Sequence, residues 1–210
     1  MIDHPHCVRL VDITRDEDGT LLAIFPFAQA TLSPVGRLSY QNLTGTDFDP
    51  VRLAVNISAA LEYLHKNHIV HRDVKPDNVL YQPDQGIFLL GDFGSAVVLT
   101  SSDGGYLGDS PATVAFFPPE ICTVDAAPKH NGYAADLWAL GLTVYCVVFG
   151  KLPFAVSTDS YVDLVDEIAL YTDPTCIIKH VGEEEVAIRQ VLETLLSKRQ
   201  YFKPHETPSS

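Results

Sequence analysis

One apolar segment, LWALGLTVYCVVFG (Leu137–Gly150), constrains most strongly how this chain can fold. It lies between Asp136 and Lys151 and is too short to cross a bilayer, which needs about 20 apolar residues. A helix that is apolar on every side is stable in water only when other parts of the protein surround it. The sequence therefore predicts a buried central helix that begins near Tyr133 or Ala134.

The acidic composition limits the classes of partner. The chain has 210 residues, 46% of them hydrophobic, and a net charge of −13. This charge disfavours nucleic acids and anionic membranes, which attract clusters of lysine and arginine, and it favours basic peptide segments. The cysteines lie far apart without a CxxC pair, and the N-terminus shows no apolar signal region. We therefore expect reduced, buried thiols and a cytoplasmic protein with no nucleic-acid or membrane partner.

Strand patterns come first along the chain and helix patterns dominate afterwards. HCVRLVDIT and LLAIFPFA predict two strands, and NVLY with GIFLLGD predicts a hairpin. Residues 51–65 and the segment EEEVAIRQVLETLLSKR have the spacing of amphipathic helices, the first starting at Asp49-Pro50. This order predicts an α+β architecture.

The segment HRDVKPDNVL (His71–Leu80) carries the residue types that phosphate transfer needs. A carboxylate such as Asp73 can orient an acceptor hydroxyl and take its proton, and Lys75 can neutralise charge on the phosphate. Asn78 and Asp92 offer the hard oxygen atoms that Mg²⁺ prefers. The hairpin between them predicts that these two side chains lie side by side.

The order of short motifs resembles the eukaryotic protein kinase family. HRD at His71–Asp73 is followed by Asn78, DFG at Asp92–Gly94, PPE at Pro118–Glu120, and DLWALG at the start of the apolar helix. The resemblance covers nearly the whole chain. It implies a protein-kinase-like α+β fold, mostly the helical C-lobe, with a remnant of the N-lobe sheet in residues 1–28. Residues 29–203 are then the C-lobe, and residues 204–210 are expected to be a disordered tail.

The same resemblance implies roles for individual residues. Asp73 would be the catalytic base and Lys75 the phosphate-binding lysine of serine/threonine kinases, with ATP and Mg²⁺ as cofactors. Thr113 would bond both of them, and Asp136 would hold the backbone of the catalytic loop. The residues expected to contact the nucleotide or its metal are Pro26 and Ala28 at the adenine edge, Leu80 beneath adenine, Lys75, and the metal ligands Asn78 and Asp92.

Part of the family pattern has no counterpart in this sequence. We find neither the glycine-rich loop nor the VAIK-type lysine before the first strand, so we expect extremely slow phosphate transfer, or none, by this chain alone. Three interpretations stay open: a truncated copy of a kinase, a catalytically impaired kinase-like scaffold or pseudokinase, and a fragment that assembles with a separate small lobe.

The stretch AADLWALGLTVYCVVFGKLPF is similar to the calcium/calmodulin-dependent protein kinase kinases. This similarity implies a protein substrate with a serine or threonine acceptor, which could itself be a downstream kinase. Calmodulin is a candidate partner, although we see no basic amphipathic helix that would bind it.

Two further expectations concern charged side chains near the loop. The resemblance implies that Arg72 binds an anionic group on the loop before Glu120, either the carboxylate of Asp109 or a phosphate on Ser110. His65 and His68, near the end of the first long helix, are expected to interact favourably with the helix dipole.

Overall fold

The structure is a computed structural model, and it describes residues 2–26, 30–32, 49–100, 106–107, 113–122, 130–154, 160–171, 175–179, 181–182 and 185–196. The helices in this part are α1 (Pro50–Lys66), α2 (Pro119–Cys122), α3 (Gly132–Phe149), α4 (Tyr161–Leu170), α5 (Thr175–Ile178) and α6 (Val186–Leu195). The strands are β1 (Asp12–Arg15), β2 (Leu21–Ile24), β3 (Ala30–Thr31), β4 (Ile69–Val70), β5 (Val79–Gln82), β6 (Ile87–Leu90), β7 (Val97–Val98), β8 (Tyr106–Leu107) and β9 (His130–Asn131).

Helix α3 is the buried axis that the apolar segment predicts. It is long and apolar enough to cross a membrane by length and composition, but 78% of it is buried inside the protein. The helix begins at Gly132, slightly earlier than predicted, because the Asn131 side chain accepts a hydrogen bond from the amide of Ala134 and caps it there. Gly150 ends the helix in the left-handed conformation, with φ 67°.

Helix α1 packs along α3 through the apolar face that its spacing predicts. Its start is confirmed, because the Asp49 side chain accepts a hydrogen bond of 2.8 Å from the amide of Val51 and Pro50 follows it. The side chains at four helical positions are fully buried: Leu53, Ile57, Leu61 and Leu64. Residues of α1 and α3 lie in the main hydrophobic core, and side chains from the loops of the candidate site pack against this core.

The predicted hairpin forms and places its flanking residues together. Strands β5 and β6 pair antiparallel, with Val79 opposite Leu90, inside a sheet of order β3-β5-β6. Just beyond this pair, the amide of Gly91 donates a hydrogen bond of 2.9 Å to the carbonyl of Asn78. Residues on the two sides of the hairpin, Asn78 and Asp92, are therefore neighbours, as predicted.

The first predicted strand is split into a short bridge and β1. Val8 donates a hydrogen bond of 2.8 Å to Leu90, and Leu90 donates one of 2.8 Å to His6. The backbone there pairs with β6, so the hairpin of β1 and β2 contains only Asp12–Arg15 and Leu21–Ile24. All residues of both strands are exposed, and the prediction of two long strands was wrong in their extent.

The last described helices complete the helical layer. Helix α6 buries Ile188, Leu192 and Leu195 in the core that α3 also enters, which confirms its predicted amphipathic spacing. Helix α4 was not predicted from the sequence. It is capped by Ser160 and packs through Leu164 and Ile168 against the segment around Phe117.

Replacing Gly141 by alanine should lower the free energy of unfolding by about 1–3 kcal/mol. A Cβ atom at this position in α3 would lie 2.5 Å from Leu196 Cδ2 and 3.2 Å from Leu195 Cβ, so the end of α6 must move. Urea denaturation measures the change. The control is a double-mutant cycle with Leu196→Ala, in which the added methyl fills part of the new cavity. The double variant should therefore lose less than the sum of the single losses, and strict additivity would contradict this packing.

Candidate active site

The side chain of Asp73 is the centre of a dense hydrogen-bond cluster. Thr113 Oγ1 donates to Asp73 Oδ1 at 2.6 Å, and Asn78 Nδ2 donates to Asp73 Oδ2 at 2.9 Å. Lys75 Nζ lies 2.8 Å from Asp73 Oδ2 and also donates to Thr113 Oγ1 at 2.9 Å. The structure thus brings together the predicted base, the predicted lysine and the threonine expected to join them.

Asp73 is largely buried but is held in its ionised form. Burial by itself would raise the pKa of Asp73, but hydrogen bonds from Lys75, Thr113 and Asn78 and the charge of Lys75 outweigh it. The net result is a pKa of Asp73 below its ordinary value. At neutral pH the carboxylate therefore carries a negative charge and can accept a hydrogen bond from an acceptor hydroxyl.

Asp136 in α3 holds the backbone just before Asp73. Its Oδ2 accepts a hydrogen bond of 2.9 Å from the amide of His71, and its Oδ1 accepts one of 2.8 Å from the amide of Arg72. Arg72 has φ 71°, a left-handed conformation that is strained for a side chain of this size. The buried carboxylate thus stabilises a turn that aims Asp73 at Thr113, as the resemblance implied for Asp136.

His65 has a contact that sequence reasoning missed. Its Nε2 lies 2.8 Å from Asp136 Oδ2, and its ring lies 4.7 Å from the ring of Tyr133. His65 does lie in the last turn of α1, where the helix dipole was expected to favour it, and the contact with Asp136 comes in addition. The available signal was its place four residues after Leu61, on the buried face of α1.

The Asp92 turn is fixed from both sides. His71 Nε2 lies 2.9 Å from the carbonyl of Gly91, and the rings of His71 and Phe93 meet edge to face at 5.2 Å. Asp92 has φ 54°, and its Oδ1 accepts a hydrogen bond from the amide of Gly94 at 3.2 Å. This strained backbone directs the Asp92 side chain to the cleft beside Asn78.

A cleft of about 440 Å³ lies between the N-terminal segment and the hairpin of β5 and β6. Pro26 and Leu80, predicted to contact adenine, both line it, together with Asn78 and Asp92 from the predicted metal site. Val8 and Phe25 add apolar walls. The cleft thus combines apolar surfaces with oxygen ligands, the combination that a nucleotide and its metal require.

Asn78 and Asp92 fit a hard divalent cation. Both hydrogen bonds from Asn78 Nδ2 go to Asp73. The Oδ1 atom of Asn78 accepts no hydrogen bond from the described residues. Asp92 uses Oδ1 for the amide of Gly94, and its Oδ2 has no partner in the described part of the chain. An amide oxygen and a carboxylate oxygen lining one cleft suit Mg²⁺, which also takes ligands from phosphates and water.

Several predicted residues lie outside the described part of the chain. These are Ala28 at the adenine edge and the alternative partners of Arg72, Asp109 and Ser110. Their predicted roles stay predictions.

The chain is similar to known proteins in sequence and in fold. The family model described as protein kinase domain matches residues 1–204. The serine/threonine-protein kinase GRIK2 of Arabidopsis thaliana is 30% identical over 82% of this chain and 42% of its own length. The calcium/calmodulin-dependent protein kinase kinase of Caenorhabditis elegans is 33% identical over 77% of this chain and 28% of its own length. The crystal structure of the yeast RNA Pol II CTD kinase CTDK-1 complex contains a chain with a TM-score of 0.63 and 26% identity, covering 80% of this chain and 51% of that one.

The chain spans less than half the length of these curated relatives. The matched region nevertheless includes every described residue of the cluster around Asp73 and of the cleft. The chain belongs to the protein kinase family and is similar to its serine/threonine members.

Proposed function

We propose that this chain is part of a protein serine/threonine kinase domain that transfers the γ-phosphate of ATP to a serine or threonine hydroxyl of a protein. The observation that carries the proposal is the convergence of Thr113, Lys75 and Asn78 on the ionised Asp73, directly beside the cleft. Phosphate transfer depends mainly on positioning and charge neutralisation, and this cluster supplies both.

In this proposal each side chain has a separate task. Asp73 orients the acceptor hydroxyl and accepts its proton, while Thr113 holds the carboxylate in place through its 2.6 Å hydrogen bond. Lys75 lies close enough to Asp73 to neutralise charge on the transferred group. Asn78 and Asp92 would hold Mg²⁺, which supplies positive charge to the phosphates when bound.

The finer parts of the proposal rest on the relatives. Because one similar protein is named a calcium/calmodulin-dependent protein kinase kinase, we propose that the substrate is another kinase. Calmodulin is a proposed partner on the same ground. A cytoplasmic location is proposed because Cys7, Cys122 and Cys146 are free and buried thiols, as expected for a reducing compartment.

Replacing Asp92 by alanine should remove the Mg²⁺ dependence of ATP binding. In the parent chain, ATP should raise the melting temperature only when Mg²⁺ is present, because ligand binding stabilises the folded state. In Asp92→Ala, the affinity for ATP with Mg²⁺ should fall at least about tenfold, to the affinity measured without the metal. Isothermal titration with and without Mg²⁺ gives both affinities.

The matched control is Asp84→Ala, which removes an exposed carboxylate from the turn between β5 and β6. It should bind ATP with Mg²⁺ like the parent. Unchanged Mg²⁺-dependent binding in Asp92→Ala would contradict the proposed metal site, and no ATP binding by the parent would favour the scaffold alternative.

A further inference from the structure

The hairpin of β1 and β2 exposes a large share of the apolar surface. In the described part of the chain, six of the twelve large hydrophobic side chains that are exposed lie between residues 11 and 25. They are Val11, Ile13, Leu21, Leu22, Ile24 and Phe25. The sheet contains only β1 and β2, and a two-stranded sheet is marginally stable in water without further strands or a packed face. The hairpin is therefore a candidate surface for association.

The two edges of the hairpin differ in how they are protected. At the outer edge of β1, the amide of Ile13 already donates a hydrogen bond of 2.8 Å to Asp12 Oδ1. This strand also begins and ends with a charged residue, and charged side chains commonly keep other strands away from a sheet edge. The segment LLAIFP, which contains β2, has no charged residue. The edge of β2 is therefore the one that can accept another strand.

The backbone of β2 directs hydrogen-bonding groups to this edge. The amide of Asp16 donates to the carbonyl of Thr20 at 3.0 Å, and hydrogen-bonded pairs alternate with other pairs along antiparallel strands. The register places Leu21 and Ala23 in the pairs between, so their N–H and C=O groups point away from β1. These groups have no other partner in the described part of the chain, and they are available to a further strand.

We propose that the edge of β2 is a dimer interface, at which a second copy of this chain pairs antiparallel around a two-fold axis through Ala23. Ala23 then lies opposite the same residue of the second copy, and Leu21 of each copy lies opposite Phe25 of the other. Each donor of one copy meets the matching acceptor of the other, and the two hairpins form one four-stranded sheet. Such a two-fold interface is closed, so association stops at the dimer.

The distribution of charge favours this pairing of two copies. The chain carries a net charge of −13, so two copies repel each other unless uncharged surfaces meet. The acidic residues Asp16, Glu17 and Asp18 lie in the turn of the hairpin. Antiparallel pairing places the two turns at opposite ends of the sheet, at least about 30 Å apart at about 3.4 Å per residue, well beyond the Debye length of about 8 Å. A second copy therefore supplies both an uncharged edge and matching backbone groups with the same segment.

Charged residues at Ala23 test the interface. Ala23→Lys and Ala23→Glu each place two like charges directly opposite one another at the two-fold axis, which should weaken the dimer about fivefold or more. An equimolar mixture of the two variants should associate at least as well as the parent, because lysine then lies opposite glutamate. Sedimentation velocity over about 1–100 μM chain measures the dimer dissociation constants, in the range expected for a small interface.

The matched controls carry the same changes on the other strand. Ile13 lies opposite Ala23 within the hairpin and is 56% exposed, and Ile13→Lys and Ile13→Glu should both dimerise like the parent. Loss of the dimer in these variants but not in the Ala23 variants would place the contact on β1 and overturn the proposal. A parent that stays monomeric, a parent that forms larger assemblies, or a mixture of Ala23 variants that fails to associate would also overturn it.

Disulfide cross-linking tests the register of the two strands. Residues opposite each other in a hydrogen-bonded pair have Cα atoms about 5.5 Å apart, a distance that a disulfide spans. With oxidised glutathione as the oxidant, Ala23→Cys should therefore form a covalent dimer. In the control Leu22→Cys the two thiols lie on a diagonal of about 7–8 Å and should cross-link much more slowly. Equal yields from both variants, or no cross-link in Ala23→Cys, would contradict the proposed pairing.

Discussion

Replacing Asp73 by asparagine should lower the rate of phosphate transfer to a serine peptide by about 10²–10⁴-fold, the usual contribution of a positioned general base. Asparagine has nearly the same shape and can still accept the hydrogen bond from Thr113. It carries no negative charge, however, and it cannot take the proton of the acceptor hydroxyl. The variant thus removes the chemical role of Asp73 and keeps the hydrogen bond from Thr113, while its NH₂ group faces the donors Asn78 Nδ2 and Lys75 Nζ.

The rate is followed by transfer of radioactive phosphate over long incubations, so that slow turnover is still quantified. Asp84→Asn makes the same chemical change at an exposed carboxylate in the β5–β6 turn and should keep the parent's rate. A rate within about threefold of the parent in Asp73→Asn, far less than a general base contributes, would contradict the assignment of the base.

Replacing Asp136 by alanine should lower the free energy of unfolding by about 2–5 kcal/mol. Asp136 is 1% exposed, and its carboxylate accepts the amide hydrogens of His71 and Arg72. In the alanine variant these groups lose their partner inside the protein, and a buried donor without a partner costs about 1–3 kcal/mol. The turn at Arg72, with φ 71°, then also loses the contacts that stabilise its strained backbone.

Urea denaturation measures the loss of stability, and the Asp136→Asn variant is the control. Asparagine keeps one acceptor oxygen and places an NH₂ group against the other backbone donor. The free energy of unfolding of Asp136→Asn should therefore lie between those of the parent and of Asp136→Ala. An Asp136→Ala chain as stable as the parent would show that the carboxylate does not support the loop.

The features best predicted from sequence were those determined by local patterns. The buried helix α3 followed from its continuous apolar composition, and the start of α1 followed from Asp49 and Pro50. The neighbourhood of Asn78 and Asp92 was also predictable, because a short hairpin brings its two flanks together. Local patterns alone do not predict the cluster around Asp73, since Thr113 is 40 residues away along the chain. That prediction depended on the resemblance to kinases.

The features missed depend on contacts that periodicity does not report. His65 meets Asp136 across 71 residues of sequence, and helical spacing does not say which helix lies opposite. The first strand was predicted too long because the pairing of Val8 with Leu90 competes with strand extension. Helix α4 was missed although Ser160 and the spacing of Leu164 and Ile168 signal it. Its exposed Val162 and Leu170 blur the amphipathic pattern.

The most direct test of the account is the identity of the residue that receives phosphate. The full chain is incubated with ATP, Mg²⁺ and matched peptides that carry a single serine, threonine or tyrosine, and the products are identified by mass spectrometry. The account predicts phosphate on serine or threonine and none on tyrosine, because Lys75 and Thr113, which the resemblance assigns to serine/threonine kinases, both contact Asp73. Phosphate on tyrosine would contradict it.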